Sequence, residues 1–327
     1  MTTYRYSDQA GNHAAVLVAG GAGFLGAHLC RRLLEQGETV ICLDNLETGS
    51  WDRIEPLLAD PKFSMFEHDV VEPIRINHSL KEIYNLACPA SPKHYQLDPP
   101  GTLLTCVYGA RNLLELAREK SARILQASTS EVYGNPLEHP QHESYRGNVN
   151  IVGLRSCYDE GKRCAETLFA DYSRRYGIDI KIARIFNTYG PGMSLDDGRL
   201  VSNLIVQALN DEPMTIYGDG SQTRSLCYVD DMIDGLISLM ESAPTFSGPV
   251  NLGNPDEATI IDIAEQIQAL TASAVPLVRH ALPPDDPMQR CPVIILAQRH
   301  LNWQPRISLS DGLRHTIADF SVRVSCV

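Results

Sequence analysis

The chain has 327 residues, a length that favours two domains, and its 43% hydrophobic and 21% charged residues are typical of a soluble globular protein. Its formal net charge of −12 argues against nucleic acid or an anionic membrane as partner, because both attract basic surfaces. Nine scattered cysteines without a Cys-x-x-Cys pair, a polar N-terminus and the absence of a membrane-length apolar run predict a cytoplasmic protein without a metal-ligand cluster.

The predicted elements begin with a buried strand over Ala14–Ala19, followed by a Gly-rich turn and a helix that Gly37 ends. The other strands are predicted at Thr39–Leu43, Phe63–Phe66, Ile83–Ala87, Ile124–Ser128 and Ile178–Ile185, with helices at Gly101–Glu119 and Tyr158–Tyr176 between them. Repeated strand–helix units predict an α/β fold built on a doubly wound parallel (Rossmann) sheet.

The composition of the chain changes after Asn187, where proline and glycine become frequent and the predicted helices and strands become shorter. This change predicts a smaller C-terminal substrate-binding domain, with helix Tyr228–Met240 and strand Pro249–Leu252 returning to the first domain. The predicted division is a flexible tail over 1–13, a nucleotide-binding domain over 14–188 with a return at 226–252, and a substrate domain over 189–327.

Gly20, Gly23 and Gly26 follow the first strand with the spacing of a dinucleotide-binding turn. Glycine is needed there for the tight turn, for close approach of the backbone to a pyrophosphate, and for helix–strand packing. A tight turn that binds nothing is the alternative. Asp44 favours the nucleotide, because a carboxylate about twenty residues beyond the turn bonds the adenosine ribose. It would also repel the extra phosphate of NADP, so NAD is predicted. Asp69 either borders the adenine or is an ordinary loop carboxylate.

Tyr158 and Lys162 lie one helical turn apart, so both project from the same face of the predicted helix. A lysine ammonium beside a phenol is expected to depress the phenol pKa and make tyrosine a usable base. Many amphipathic helices carry this pair by chance. The position after the Gly-rich turn and after the strand-end segment Ala127–Gly134 favours a catalytic site, because chemistry in such sheets gathers at the carboxyl ends of strands.

The glycine pattern and the Tyr/Lys pair resemble the extended short-chain dehydrogenase/reductase superfamily, and longer strings resemble its UDP-glucuronate decarboxylase (UDP-xylose synthase) family. Those strings are His68–Pro73, Pro89–Pro92, Thr129–Gly134, Cys157–Arg163, Arg184–Pro191, Gly220–Arg224 and Asp285–Arg290. Ser130 and Glu131 resemble the combination found in decarboxylases. Relatives that dehydrate hexoses resemble a Thr-Asp-Glu string at the same place. Simple 4-epimerases tend to carry a small residue instead of the glutamate. A role of Thr129 and Ser130 as a mere strand-end cap is the alternative.

This resemblance implies NAD-dependent decarboxylation of UDP-glucuronate to UDP-xylose through a 4-keto intermediate, with the cofactor recycled. The catalytic residues it implies are Thr129, Glu131, Tyr158, Lys162 and Arg290. The cofactor residues are Gly20, Gly23, Phe24, Leu25, Gly26, Asp44, Asn45, Asp69, Val70, Leu86, Tyr158 and Lys162. The UDP-sugar residues are Pro89, Tyr95, Glu131, Asn187, Arg199, Arg224, Tyr228 and Arg290. A homodimer that pairs helices Gly101–Glu119 and Tyr158–Tyr176 across a two-fold axis is also implied.

Some positions depart from the family pattern. Ala19 replaces a threonine, Cys106 an asparagine, Ile151 and Leu154 prolines, and Cys291 and Val293 a basic residue and an aspartate. These departures keep three alternatives open: release of the 4-keto-pentose, 4-epimerisation of UDP-glucuronate without decarboxylation, and a non-catalytic module that binds NAD or a sugar nucleotide.

Overall fold

The computed structural model describes residues 14–281 and 289–325. The tail predicted over 1–13 lies outside these residues, as does most of the string that ends at Arg290. None of the helices in the two described ranges combines the length and the apolar character needed to cross a membrane.

The strands in chain order are β1 (Ala15–Ala19), β2 (Val40–Asp44), β3 (Phe63–Glu67), β4 (Leu80–Asn85), β5 (Arg123–Thr129), β6 (Ile180–Ile185), β7 (Thr188–Tyr189), β8 (Met214–Tyr217), β9 (Thr223–Ser225), β10 (Cys227–Tyr228), β11 (Val250–Leu252), β12 (Glu257–Thr259) and β13 (Leu277–His280). Within the described residues, seven of them form one parallel sheet in the order β11-β6-β5-β4-β1-β2-β3. The predicted α/β fold with a doubly wound parallel sheet is confirmed.

The α-helices are α1 (Phe24–Glu35), α2 (Trp51–Ile54), α3 (Pro92–Tyr95), α4 (Pro99–Leu104), α5 (Ala110–Lys120), α6 (Ser156–Tyr176), α7 (Leu200–Leu209), α8 (Val229–Glu241), α9 (Ile260–Thr271), α10 (Ile295–Leu301) and α11 (Leu309–Val324). Short 3₁₀ turns span Glu55–Ala59 and Ser130–Tyr133, and a π-helical turn spans Thr105–Gly109.

The two faces of the sheet are both buried, as strand β1 shows. Val16 and Val18 belong to the apolar cluster that contains α1 and α8, whereas Leu17 and Ala19 belong to the cluster that contains α5 and α6. Successive side chains of a strand point to opposite faces, so a strand covered by helices on both sides is apolar throughout. This explains why β1 reads as an uninterrupted apolar run.

The helix predicted over Gly101–Glu119 has different bounds in the structure and is interrupted. It begins at Pro99, after Asp98 caps it by accepting a hydrogen bond from the Gly101 N–H at 3.1 Å. Proline suits the first turn because the missing N–H needs no partner there. The π-helical turn then divides it into α4 and α5, with one helical rotation widened by an extra residue.

Strand β11 pairs in parallel with β6 at the edge of the sheet, so the chain returns to the first sheet as the sequence predicts. The cluster on that face also includes Ile263 of α9 and Phe320 of α11. The C-terminal segments therefore share a continuous core with the nucleotide-binding half, and the boundary at residue 188 stays a prediction.

Candidate active site

A cavity of about 600 Å³ opens at the carboxyl ends of β1, β4, β5 and β6. Side chains reach it from the turn after β1, the loop after β4, the end of β5, the loop after β6 and helix α6. The predicted site residues that line it are Gly20, Gly23, Phe24, Leu25, Gly26, Leu86, Tyr95, Thr129, Glu131, Tyr158, Lys162, Asn187, Arg199, Arg224 and Arg290. The fold thus brings residues that are far apart in the sequence to one place.

The glycine turn fits the pyrophosphate of a dinucleotide. Gly20 has a φ of +78°, and a Cβ there would lie 2.7 Å from the Ala87 nitrogen. A Cβ at Gly26 would lie 2.0 Å from the Gly20 carbonyl oxygen, so only glycine lets α1 begin this close to β1. A Cβ at Gly23 would meet only the Gly20 oxygen, at 3.1 Å, and its open side faces the cavity. The open side leaves room for phosphate against the backbone.

Asp44 ends β2 beside this turn. Its Oδ2 accepts a hydrogen bond from the Ala22 N–H at 2.9 Å, and its Oδ1 accepts one from the Leu46 N–H at 2.8 Å. Burial raises the pKa of the carboxyl above its ordinary value, and these two N–H groups oppose the effect. Each oxygen keeps a lone pair for a ribose hydroxyl. The carboxylate is therefore held where the sequence places the adenosine end of NAD.

Tyr158 and Lys162 are both buried in the cavity wall, on one face of α6. The Lys162 Nζ donates a hydrogen bond to the Ala127 carbonyl at 2.9 Å and lies 5.8 Å from the centre of the Tyr158 ring. On its other side the Tyr158 ring stacks on Tyr95, with ring centres 5.2 Å apart. The phenol is thus fixed between the end of β5 and helix α3.

The expected depression of the Tyr158 pKa does not come from the protein alone. Burial raises the pKa of this phenol well above its ordinary value, and a hydrogen bond from the Thr129 hydroxyl only partly opposes the rise. The Lys162 ammonium donates a hydrogen bond to the Ala127 carbonyl, and burial remains the largest influence on the phenol pKa. With these residues alone, Tyr158 is a neutral phenol at neutral pH.

Glu131 lies between two arginines. Its Oε2 accepts hydrogen bonds from Arg155 Nη2 at 2.5 Å and from Arg290 Nη2 at 3.1 Å. Burial alone would raise the pKa of the Glu131 carboxyl, but the Arg290 and Arg155 charges outweigh it and hold the pKa below its ordinary value. Glu131 is therefore an anion held by two cationic neighbours at this end of the cavity.

Arg290 is 2% exposed and also donates to the Ser130 carbonyl at 2.9 Å. The segment that follows it is anchored to Gln141, whose N–H donates to the Cys291 carbonyl and whose carbonyl accepts from the Val293 N–H, each at 2.8 Å. The bonds at Cys291 and Val293 use backbone groups. The departures at these two positions therefore leave the placement of Arg290 intact.

The remaining predicted cations, Arg199 and Arg224, both line the cavity. Arg199 forms a two-pronged ion pair with Asp197, which neutralises its charge. Arg224 lies in the cavity wall and donates to the Thr223 carbonyl at 2.9 Å. Asn187, from the loop after β6, lines the same region.

Other predicted residues do not line the cavity. Tyr228 packs edge-on against Tyr189, with ring centres 5.8 Å apart, and Tyr189 is the ring that lines the cavity. Asn45 donates to Asp69 Oδ2 at 3.1 Å, which brings these two residues of the adenine end together. Val70 packs against Gly109, where a Cβ would lie 2.7 Å from Val70 Cγ2. Pro89 is buried between lining residues Cys88 and Ala90.

Two arginines on the wall were missed by the sequence analysis. Arg155 precedes Tyr158 by about one helical turn, and residues at that spacing share a helix face. That spacing was a usable signal. Arg53 donates to the Gly192 carbonyl at 2.9 Å and lies near the glycine turn. No local pattern marks Arg53, because its partner is distant in the sequence.

A parallel sheet with a glycine turn after β1, a carboxylate after β2 and a buried Tyr/Lys pair beside β5 defines a dinucleotide-dependent α/β enzyme. Residues 16–253 match the model of the NAD dependent epimerase/dehydratase family. The chain belongs to this family, whose cofactor is NAD, so the predicted fold family and cofactor are confirmed.

The similar proteins carry more specific names. The chain is 51% identical over 310 residues to UDP-glucuronic acid decarboxylase 5 of Arabidopsis thaliana, covering 94% of this chain and 90% of that protein. It is 48% identical over 306 residues to UDP-glucuronic acid decarboxylase 1 of Danio rerio, covering 94% and 72% respectively. Among solved structures, UDP-glucuronic acid 4-epimerase from Bacillus cereus, in complex with UDP-glucuronic acid and NAD, is similar with a TM-score of 0.84 and 28% identity, covering 94% of this chain and 99% of the epimerase.

Proposed function

We propose that this chain catalyses the NAD-dependent decarboxylation of UDP-glucuronate to UDP-xylose through a 4-keto intermediate. The observation that carries the proposal is the Arg155–Glu131–Arg290 cluster, which lies in the same cavity as Tyr158 and Lys162. Two arginines beside a redox site suit a sugar that carries a carboxylate. The named relatives at about half identity support the same reaction.

Tyr158 is the acid–base residue for the sugar 4-hydroxyl, and Thr129 holds the same oxygen. NAD⁺, when bound, supplies the hydride acceptor for oxidation of that carbon and the hydride donor for the final reduction. Lys162 would hold the nicotinamide ribose and supply positive charge near the Tyr158 phenol. Burial raises the pKa of Tyr158 in the protein alone, so a bound NAD⁺ would have to supply positive charge for the phenol to act as a base.

The Glu131 end of the cavity binds the substrate carboxylate. Oxidation at C4 places a ketone β to that carboxylate, so carbon dioxide leaves while its electrons delocalise into an enolate. Arg290 and Arg155 hold the carboxylate before it leaves, and both also keep Glu131 ionised. Glu131 then orders the group or water that reprotonates C5, a role that a fixed anion performs through hydrogen bonds.

The UDP portion of the substrate is bound by Arg224, Arg199 and Asn187, which all line the cavity. The buried Tyr95 hydroxyl has no hydrogen-bond partner among the described residues and belongs to a ring on the cavity wall. A sugar hydroxyl satisfies it, which explains why a polar group is buried there.

The product assay tests the reaction directly. The protein is incubated with UDP-glucuronate and NAD⁺ while carbon dioxide is measured and nucleotide sugars are followed by NMR. We expect stoichiometric carbon dioxide and UDP-xylose. Release of the 4-keto-pentose would support the alternative in which that ketone is the product. Recovery of UDP-galacturonate without carbon dioxide would overturn decarboxylation altogether.

We further propose a homodimer that forms through the helices predicted for it. Leu103, Leu104 and Tyr108 are between 38% and 46% exposed on the α4 and π-helical segment. Apolar side chains clustered on one exposed surface favour association. Sedimentation should give twice the 36.1 kDa chain mass, and Leu104→Glu should shift the protein to monomer. A monomeric wild-type protein at working concentration would contradict the proposal.

The cytoplasmic location and the two-domain division also stay proposals. The described cysteines are free thiols, in keeping with a reducing compartment. Residues 189–327 carry Arg199, Arg224 and Arg290, the cations assigned to the UDP-sugar, which supports their description as the substrate domain.

A further inference from the structure

Two thiols are in contact in the cavity wall beside the Tyr158/Lys162 pair. Cys88 lies in the loop after β4 and lines the cavity. Its Sγ is 3.2 Å from the Sγ of Cys106, and both residues are free cysteines. None of the roles proposed above uses either sulfur.

Cys106 lies in the π-helical turn between α4 and α5 and is 4% exposed. It packs on helix α6, because a Cβ built at Gly161 would lie 2.9 Å from the Cys106 Cβ and 3.1 Å from its Sγ. Gly161 directly precedes Lys162 in α6. The thiol pair therefore joins three parts of the site: the loop after β4, the π-helical turn and the helix that carries the catalytic pair.

The two thiols differ in reactivity. A hydrogen bond from the Cys106 thiol holds the pKa of Cys88 below its ordinary value, and the Lys162 ammonium adds to this effect although burial opposes it. The hydrogen bond to Cys88, followed by burial, raises the pKa of Cys106. A thiolate is the nucleophilic form of cysteine. Because Cys88 lines the cavity whereas Cys106 is only 4% exposed, Cys88 is the thiol that attacks, and Cys106, 3.2 Å away, is the neighbour within reach of the product.

We propose that Cys88 and Cys106 form an oxidative modification site, at which a small hydroperoxide that enters the cavity converts the two thiols to a disulfide. The Cys88 thiolate attacks one peroxide oxygen, the O–O bond breaks, and a sulfenic acid forms on Cys88 as water or an alcohol leaves. The Cys106 sulfur then attacks the Cys88 sulfur, the S–O bond breaks, and a second water leaves. The thiols lose two electrons and two protons, which the hydroperoxide oxygens take up.

The disulfide is expected to reduce catalytic activity. A disulfide requires an S–S distance of about 2.05 Å, so the sulfur atoms must approach by about 1 Å. This movement draws the loop after β4 towards the π-helical turn and Gly161, next to the catalytic pair. Displacement of reacting groups by about 1 Å lowers rates by about 100-fold. Metal binding is a poorer use of the pair, because within residues 14–281 and 289–325 no group of three His, Cys, Asp or Glu side chains is arranged to hold an ion.

The test is hydrogen peroxide treatment of the full-length protein, followed by alkylation, proteolysis and peptide mass mapping. We expect one cross-linked peptide pair containing Cys88 and Cys106, lighter than the two thiol peptides by two hydrogens. Turnover should fall by at least about tenfold and return after dithiothreitol. The mass measurement is independent of the sugar substrate, so it stands even if the proposed decarboxylation fails.

Two variants sharpen the result. Cys106→Ser should prevent the cross-link and leave a sulfenic acid on Cys88 that a dimedone-type reagent traps. Cys164→Ser, which removes an exposed thiol of the same helix α6, should behave as wild type. Wild-type protein that forms no Cys88–Cys106 peptide, or that cross-links Cys88 to Cys157 instead, would overturn the proposal. The wild-type map decides the question even if Cys106→Ser does not fold.

Discussion

Arg290 Nη2 donates a hydrogen bond to Glu131 Oε2 at 3.1 Å, although the two residues are 159 positions apart in the chain. Arg155 reaches the same oxygen from the start of α6. The three side chains hold one another in a site from which bulk water is largely excluded, where charge–charge interactions are stronger than at the surface.

Arg155→Met should lower kcat for UDP-glucuronate by about 100- to 1000-fold, the range for loss of one preorganised hydrogen-bond donor. The arginine also lowers the pKa of Glu131, so its removal raises that pKa and moves the acid limb of the pH–rate profile to higher pH. The profile separates this positioning role from general damage to the fold. Arg155→Lys should restore part of the activity.

Arg146→Met is the matched control, because Arg146 is exposed on the segment before α6. It should keep both the rate and the profile of the wild type. An Arg155→Met enzyme with a reduced rate but an unmoved acid limb would contradict the link to Glu131.

Tyr158→Phe should lower turnover by a factor of about 10² to 10⁴, because it removes the acid–base hydroxyl and nothing else. The ring keeps its stacking on Tyr95, so the fold and NAD binding should survive. Rates are measured by product NMR and NAD binding by calorimetry. Unchanged turnover would exclude the assigned role, and a wild-type protein that binds NAD without turning over any UDP-sugar would favour the binding module.

Gly23→Ala should weaken NAD binding at least about tenfold, or about 1.4 kcal/mol, with little change in the unfolding temperature. Its Cβ is only slightly crowded, at 3.1 Å from the Gly20 oxygen, but projects where the pyrophosphate meets the backbone. Gly26→Ala is the counterpart. Its Cβ would lie 2.0 Å from the Gly20 oxygen, so it should lower the unfolding temperature strongly.

Calorimetric NAD titration and thermal unfolding of both variants check this contrast. If Gly23→Ala bound NAD as tightly as the wild type, the turn would not be the pyrophosphate site.

Asp159 is predicted to make the protein less stable as the pH rises. Burial, followed by the nearby Glu131 charge, raises the pKa of its carboxyl from 3.8 to about 7. Below pH 3.8 the group is protonated in both states, and its contribution to stability is complete. Between pH 3.8 and 7 only the unfolded state ionises, so stability falls, and above pH 7 the loss is complete.

Asp159→Asn should remove this loss, which is at most about 4 kcal/mol in the free energy of unfolding. Denaturant unfolding at pH 5 and pH 8 should show the variant gaining on the wild type as the pH rises. Asp171→Asn, an exposed carboxylate of the same helix, should show no such trend. A difference between wild type and Asp159→Asn that is the same at both pH values would refute the assignment.

The local patterns of the sequence were enough for the architecture. Strand β1 is apolar because both its faces are buried, and the glycine spacing after it reflects contacts within one turn. The Tyr158/Lys162 pair depends only on helical periodicity. Such features depend on a few neighbouring residues, so they can be recognised in the sequence without knowing the rest of the fold.

The π-helical turn at Thr105–Gly109 was not predictable in this way. Its residues would continue an ordinary helix, and the widened turn meets Gly161 and Val70, which are distant in the sequence. The Cys88–Cys106 contact follows from the same packing. A scattered cysteine pattern gave no reason to place these two thiols together.

By itself, then, the sequence determined the parallel sheet and predicted the NAD turn with Asp44 and the Tyr158/Lys162 pair, because each rests on short-range periodicity or on steric needs of the backbone. The tertiary structure decided the electrostatics. It joined Glu131 to Arg155 and Arg290, directed Lys162 at the Ala127 carbonyl, neutralised Arg199 with Asp197 and kept the Tyr158 phenol protonated. Burial and charge–charge distances set these properties, and both arise only when remote segments pack together.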